Sequence, residues 1–188
     1  MAGREESEKR IKAKLAIYAV ASVLMMLLIF TMSSQVGEVS QSESDPIAEF
    51  LARLFILGYT GLATSDQQAF FHICSVLVRK SGHVAEYAAL SACVCAAVRQ
   101  SLLLRSEESV SNGNGMRQVF WKAAGIGIAI SIAYAATDEF HQLFVPGRAG
   151  LATDVLVDSI GIIVAALFTT AIAWKLVRRH AEGTKAPQ

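Results

Sequence analysis

Two of the four long apolar runs in this chain are too short to cross a bilayer unless ionisable residues are drawn in with them. The runs are Leu15–Met32, His83–Val98, Val119–Thr137 and Asp154–Trp174. A spanning helix needs about 20 mostly apolar residues across about 30 Å of hydrocarbon. Val84 to Val98 covers only about 22 Å at ~1.5 Å per residue, so His83, Glu86 and Lys80 are pulled toward the membrane. The clean part of the last run, Ile160–Trp174, is equally short and pulls Asp158 and Asp154 with it. Acids at such depth are costly, need partners, and by default suggest function.

Composition agrees with one membrane unit: 53% of the 188 residues are hydrophobic, and they come in blocks. A net charge of +1 offers no basic surface for nucleic acid. Cys74, Cys93 and Cys95 form neither a disulfide framework nor a CxxC metal pair, and read as small packing residues. The first run exceeds a secretory h-region and has no small-residue cleavage site after it, so it is expected to stay as a helix.

The sequence therefore predicts an all-α membrane protein with four transmembrane helices, at about 15–32, 83–98, 119–137 and 154–174. Lysine and arginine fix the expected orientation. With both termini cytoplasmic, the inner segments hold thirteen of the seventeen basic residues, leaving Arg53, Arg79, Lys80 and Arg148 outside. The outer segment, about 45–80, carries short amphipathic helices. Asp45-Pro46 reads as a helix start, followed by a stripe of Ile47, Phe50, Leu51, Leu54 and Phe55 that ends at Gly58 and Gly61. Ser65 and Gln68 resemble a capping box before Phe70, Ile73, Cys74 and Leu77. These helices are expected to cover the bundle in preference to lying on lipid headgroups. Ser111-Asn112-Gly113-Asn114-Gly115 reads as a flexible inner connector.

Polar residues concentrate where three of the runs end. Lys80, His83 and Tyr87 share a helix face, and His83 also neighbours Glu86. Asp138, His141 and Gln142 share another, with Glu139 turned away. Phe140, Leu143 and Phe144 read as interfacial anchors, and Pro146-Gly147 turns the chain. Asp154 suits a helix cap, whereas Asp158 lies too far in; Gly161 on the same face allows another backbone to approach closely.

Several chemistries fit this set. His83, Glu86, Asp138, Glu139, His141, Asp154 and Asp158 are donors suited to a divalent metal such as Zn or Mn, though no established zinc spacing occurs. A metal-free site would use His141 as acid or base, oriented by a carboxylate. Arg148, Arg79 and Lys80 suit phosphate or carboxylate. The bland alternative is a structural network in which Glu86, Asp138 or Asp158 pairs with Arg148 or Lys80 to lock helix ends.

Four ordered blocks also resemble a known family. They are Ser33-Ser34-Gln35; Arg79-Lys80-x-x-His83-x-x-Glu86-Tyr87-x-x-Leu90; Asp138-Glu139-x-His141-Gln142-x-x-x-Pro146-Gly147-Arg148; and Asp154-x-x-x-Asp158-x-x-Gly161. Together they are similar to the VanZ-like bacterial membrane proteins, over about residues 29–161. The resemblance implies a multi-pass protein of the bacterial cytoplasmic membrane. The family's namesake confers low-level resistance to the glycopeptide teicoplanin without being needed for vancomycin resistance. The clustered polar residues give an expected working set of His83, Glu86, Asp138, Glu139, His141 and Asp158 for chemistry, with Lys80, Tyr87, Gln142, Arg148 and Gln35 against substrate. Two functions follow as expectations: an enzyme acting at the outer leaflet on a lipid-linked or cell-wall substrate, or a binder of envelope lipid, wall precursor or a lipoglycopeptide tail.

Overall fold

Each of the four apolar runs lies inside a helix that is longer than the run itself. In the computed structural model, which describes residues 2–56, 58–105 and 113–183, α1 is Ala2–Ser33, α2 is Gly37–Phe55, α3 is Thr64–Arg105, α4 is Gly113–Gln142 and α5 is Ala152–Gly183, with a 3-10 turn at Tyr59–Gly61. Four of these, α1, α3, α4 and α5, are long and apolar enough to cross a membrane.

The central element is α3, which packs against every other helix. Its lower half carries the buried residues Tyr87, Leu90 and Val94, which meet Ile29 of α1, Ala135 of α4 and Ile162 of α5 in one core. Small residues permit the close crossings. A Cβ at Gly161 would come within 2.7 Å of the Val84 carbonyl oxygen, so α5 can lie this near α3 only with glycine there. Cys95 is 2% exposed against α4, the small-hydrophobe role expected of it.

The outer segment differs from its expected form in three ways. The helix foreseen at Ser65 does not stop before the second span. It runs on as α3, 42 residues and about 63 Å long at ~1.5 Å per residue. No Gly or Pro breaker interrupts it, and Gly82 alone is tolerated in an otherwise helical stretch. The helix foreseen at Asp45-Pro46 starts earlier, at Gly37, whose N–H donates to the Pro146 carbonyl at 3.0 Å. Pro46 then sits inside the helix, where the carbonyl it cannot satisfy is that of exposed Ser42. Lastly, α2 covers α3 with Ala48 and Ala52, both fully buried, and not with its large side chains. Ile47, Phe50, Leu54 and Phe55 face outward, 53–75% exposed.

Of the foreseen connector, Gly113, Asn114 and Gly115 open α4, while Ser111 and Asn112 lie outside the described residues.

Candidate functional site

The last residues of α1, the middle of α3, the end of α4 and the start of α5 meet at one end of the bundle. The turn after α4 fastens them. Gly147 adopts a left-handed backbone (φ +75°), which only glycine takes without strain, and reverses the chain at Pro146-Gly147 as expected. Arg148 then points back over α1. Its Nη2 donates to the Met32 carbonyl at 3.0 Å and its Nε to the Gln35 carbonyl at 3.2 Å. They lie at the C-terminal end of α1, where the Met32 carbonyl also accepts the Gln35 N–H at 3.3 Å, and a cation suits that end of the dipole. Burial and the neighbouring Arg79 draw the Arg148 guanidinium below its ordinary pKa, yet it remains a cation.

Beneath Arg148 lies a buried knot of polar side chains. Asp138 is 4% exposed and accepts from Ser33 Oγ at 2.7 Å and from Gln142 Nε2 at 3.2 Å. Gln142 also reaches Glu139 at 3.5 Å, and the second Glu139 oxygen accepts the Leu151 N–H at 2.9 Å, tying α4 to the approach of α5. Tyr87 of α3 adjoins Asp138. It is 1% exposed in the core beside Tyr134, and its hydroxyl interacts with the Asp138 carboxyl group outside ordinary hydrogen-bond geometry.

Two cavities flank this knot. The first, about 230 Å³, is lined by Arg79, Lys80, His83, Glu139, Gln142, Arg148, Asp154 and Asp158, with backbone from the α4–α5 turn. Lys80 pairs with Asp154 in the first turn of α5. Asp158, 3% exposed, faces Glu139, Asp154 and Asp138, with Lys80 as the counter-charge. The second, about 190 Å³, lies under α2 and is lined by Met32, Ser40, Ser44, Ile47, Val78, Gly82 and Glu86. Arg79, His83 and Arg148 line both. His83 Nδ1 is buried without a hydrogen bond and faces Glu86 Oε2 at 3.8 Å.

Of the residues singled out from sequence, Lys80, His83, Glu139, Gln142, Arg148, Asp154 and Asp158 thus come together around the first cavity. Glu86 joins them from the second, and Asp138 lies beneath. His141 stands apart. Its ring stacks on Phe30 at 4.7 Å, its Nε2 is 3.1 Å from Ser34 Oγ, and it lines neither cavity. Gln35 contributes its backbone carbonyl to Arg148. The metal candidates do not gather: among the described residues, no three His, Cys, Asp or Glu side chains form a group that could hold a metal ion. The lock of Arg148 on Glu86, Asp138 or Asp158 is not the arrangement found, since Arg148 Nε and Nη2 donate to carbonyls and Lys80 pairs with Asp154. Ser33, which holds Asp138, and the two α2 serines were not among the expected site residues. Ser33 lay in a recognisable block, but nothing in the sequence pointed Ser40 and Ser44 at α3.

Four membrane-length helices gathered around a buried ionic cavity at one end define a multi-pass helical membrane protein with a polar pocket at its helix ends. Residues 18–174 match the VanZ/LLP1 family model, most of the chain, and the protein belongs to the VanZ/LLP1 family. No curated protein and no solved structure matches it.

Proposed function

We propose that this protein sits in the bacterial cytoplasmic membrane with its first cavity facing outward. There it takes the anionic headgroup of a lipid-linked or cell-wall substrate and acts on it by acid–base chemistry. The observation that carries this reading is the lining of the first cavity: Arg79, Lys80 and Arg148 on the same wall space as His83, Glu139 and Asp158. Guanidinium and ammonium groups in a partly desolvated pocket suit phosphate or carboxylate. An imidazole with one nitrogen facing a carboxylate is the usual form of a proton-transferring group. His83, with Glu86 opposite its Nδ1, therefore takes the role that sequence alone gave to His141. Asp138, Ser33 and Gln142 hold the floor of the site and position it. In the cell this activity would contribute to tolerance of teicoplanin-type glycopeptides, the property that gives the family its namesake.

The second reading is a binder without turnover, holding envelope lipid, wall precursor or a lipoglycopeptide tail. The outward stripe of Ile47, Phe50, Leu54 and Phe55 favours it. One experiment separates the two. Purified protein in vesicles is given an isoprenyl-linked phosphate, and product and binding are followed together, beside teicoplanin susceptibility in cells. The enzyme reading expects product from the wild type, and His83→Gln to lose at least about a hundredfold of it while retaining binding. Binding with no product in the wild type would establish the binder, and neither binding nor product would remove both.

A further inference from the structure

We infer that the second cavity, under α2, receives the stem of the hydrocarbon chain of a lipid phosphate whose headgroup lies in the first. This rests on the anion-site reading above and assigns the part of the ligand that reading leaves open.

The two cavities share the side chains of Arg79, His83 and Arg148 in their walls, so one ligand anchored on the two arginines borders both. Their chemistry differs. Three carboxylates, Lys80 and Gln142 stand beside Gly147, Ala149, Leu151 and Val157 in the first, whereas Glu86 is, among the described residues, the only further charged group in the second, where Met32, Ile47 and Val78, from three different helices, give an apolar side. The two serines in its lining make no strong demand for a polar ligand, because Ser44 Oγ already donates to the Ser40 carbonyl at 3.0 Å. The remaining charge, Glu86, is turned toward His83. Size points the same way. Ligand pockets begin at roughly 300 Å³. Neither cavity, at about 230 and 190 Å³, reaches that alone, so a ligand of ordinary size held in one extends past it.

The outlet also suits hydrocarbon. Ile47 is 53% exposed at the mouth and opens the outward stripe of α2 that continues through Phe50 and Leu54. A chain leaving the cavity passes onto apolar surface. At its rim stands exposed Gly82, where an added Cβ would meet no atom within 4 Å. The helix does not need glycine there for packing, and Gly mid-helix is unfavourable relative to Ala. Its missing side chain keeps that rim open.

That open space supplies the test, since a side chain at position 82 obstructs the rim of the second cavity without displacing the fold. Wild type, Gly82→Ala and Gly82→Leu are purified in detergent. Affinities are measured for inorganic phosphate, butyl phosphate, a long-chain isoprenyl phosphate and the matching isoprenol. The expected result is graded. Gly82→Leu weakens the isoprenyl phosphate about tenfold or more, equivalent to about two methylenes kept out of the protein, and Gly82→Ala weakens it less. Inorganic phosphate binds all three equally, and the melting temperature of Gly82→Ala is at or above that of the wild type. Equal weakening of inorganic and isoprenyl phosphate, or no change in either, would overturn the chain assignment. If wild type ignores inorganic and butyl phosphate yet binds isoprenol in a way Gly82→Leu abolishes, the anion reading fails and the chain cavity stands.

Discussion

Asp138 is the residue on which the site turns, and its surroundings explain how a nearly sealed carboxylate survives at a helix end. Ser33 and Gln142 donate to the same oxygen, Oδ2, while Oδ1 has no partner in ordinary hydrogen-bond geometry, the Tyr87 hydroxyl interacting with this carboxyl group more loosely. A buried carboxyl group so unevenly satisfied is poorly optimised for stability, which is common where function sets the requirement. Removing another donor should be costly. Ser33→Ala is expected to destabilise the protein by about 1–3 kcal/mol, read as a lower Tm in detergent, with Ser33→Thr recovering part of it. An unchanged Tm would show that Ser33 does not hold Asp138. His83 and His141 form a sharper pair. Both were visible in the sequence as site imidazoles, and nothing in residue spacing distinguished them. The distinction is tertiary: His141 spends its ring on Phe30 and its nitrogen on Ser34, while His83 lines both cavities. His141→Gln should therefore retain turnover within about twofold, well under 1 kcal/mol, where His83→Gln loses at least about a hundredfold. A dead His141→Gln with intact folding would return the acid–base role to His141.

At the level of elements, the site is a consequence of how closely α3 and α5 pack. Lys80 reaches Asp154 only because the helices cross near Val84, about one turn beyond Lys80, and Gly161, about two turns beyond Asp154. A larger residue at 161 must push the Val84 backbone. Gly161→Leu is expected to cost about 1–3 kcal/mol and to weaken headgroup binding as Lys80 and Asp154 separate. Gly125→Ala, where no atom lies within 4 Å of the added Cβ, should be neutral or stabilising. Comparable losses in both variants would mean that helix propensity, not the crossing, sets the effect. The need for Gly161 was legible in the sequence, because a glycine one turn beyond two spaced aspartates has few other uses in a membrane helix. The four apolar helices were legible for the same reason, since hydrocarbon leaves few choices of pattern. The outer helices were read less well. Periodicity marked Ile47, Phe50 and Leu54 as one face but not which side that face takes, and the alanines that do the packing carry little signal. The continuity of α3 was missed because Arg79, Lys80 and Gly82 resemble an interface, when they line a cavity.

For the whole molecule, the distribution of charge and the position of the site are one fact. Thirteen of seventeen basic residues fall in the segments expected inside, and the four exceptions are Arg53, Arg79, Lys80 and Arg148. Three of those four line the first cavity, and the fourth pairs with Glu49 one helical turn away. Basic residues resist export across the membrane, so those retained on the far side need a reason, and the cavity is that reason for Arg79, Lys80 and Arg148. The argument holds only if the cavity end faces outward, and that orientation can be measured. In a background with Cys74, Cys93 and Cys95 replaced by alanine, a single cysteine at position 41 or 66, both exposed beyond the site, should react with an impermeant maleimide added to intact cells. One at position 179, exposed near the end of α5, should react only after permeabilisation. The expected pattern places α2 and the first ~24 Å of α3, from Thr64 to Arg79, outside the cell. Labelling at 179 from outside, with 41 and 66 protected, would invert the protein and turn the cavity toward the cytoplasm. A lipid-linked substrate would then have to be met on the inner leaflet, and a direct action against an extracellular glycopeptide would lose its geometry.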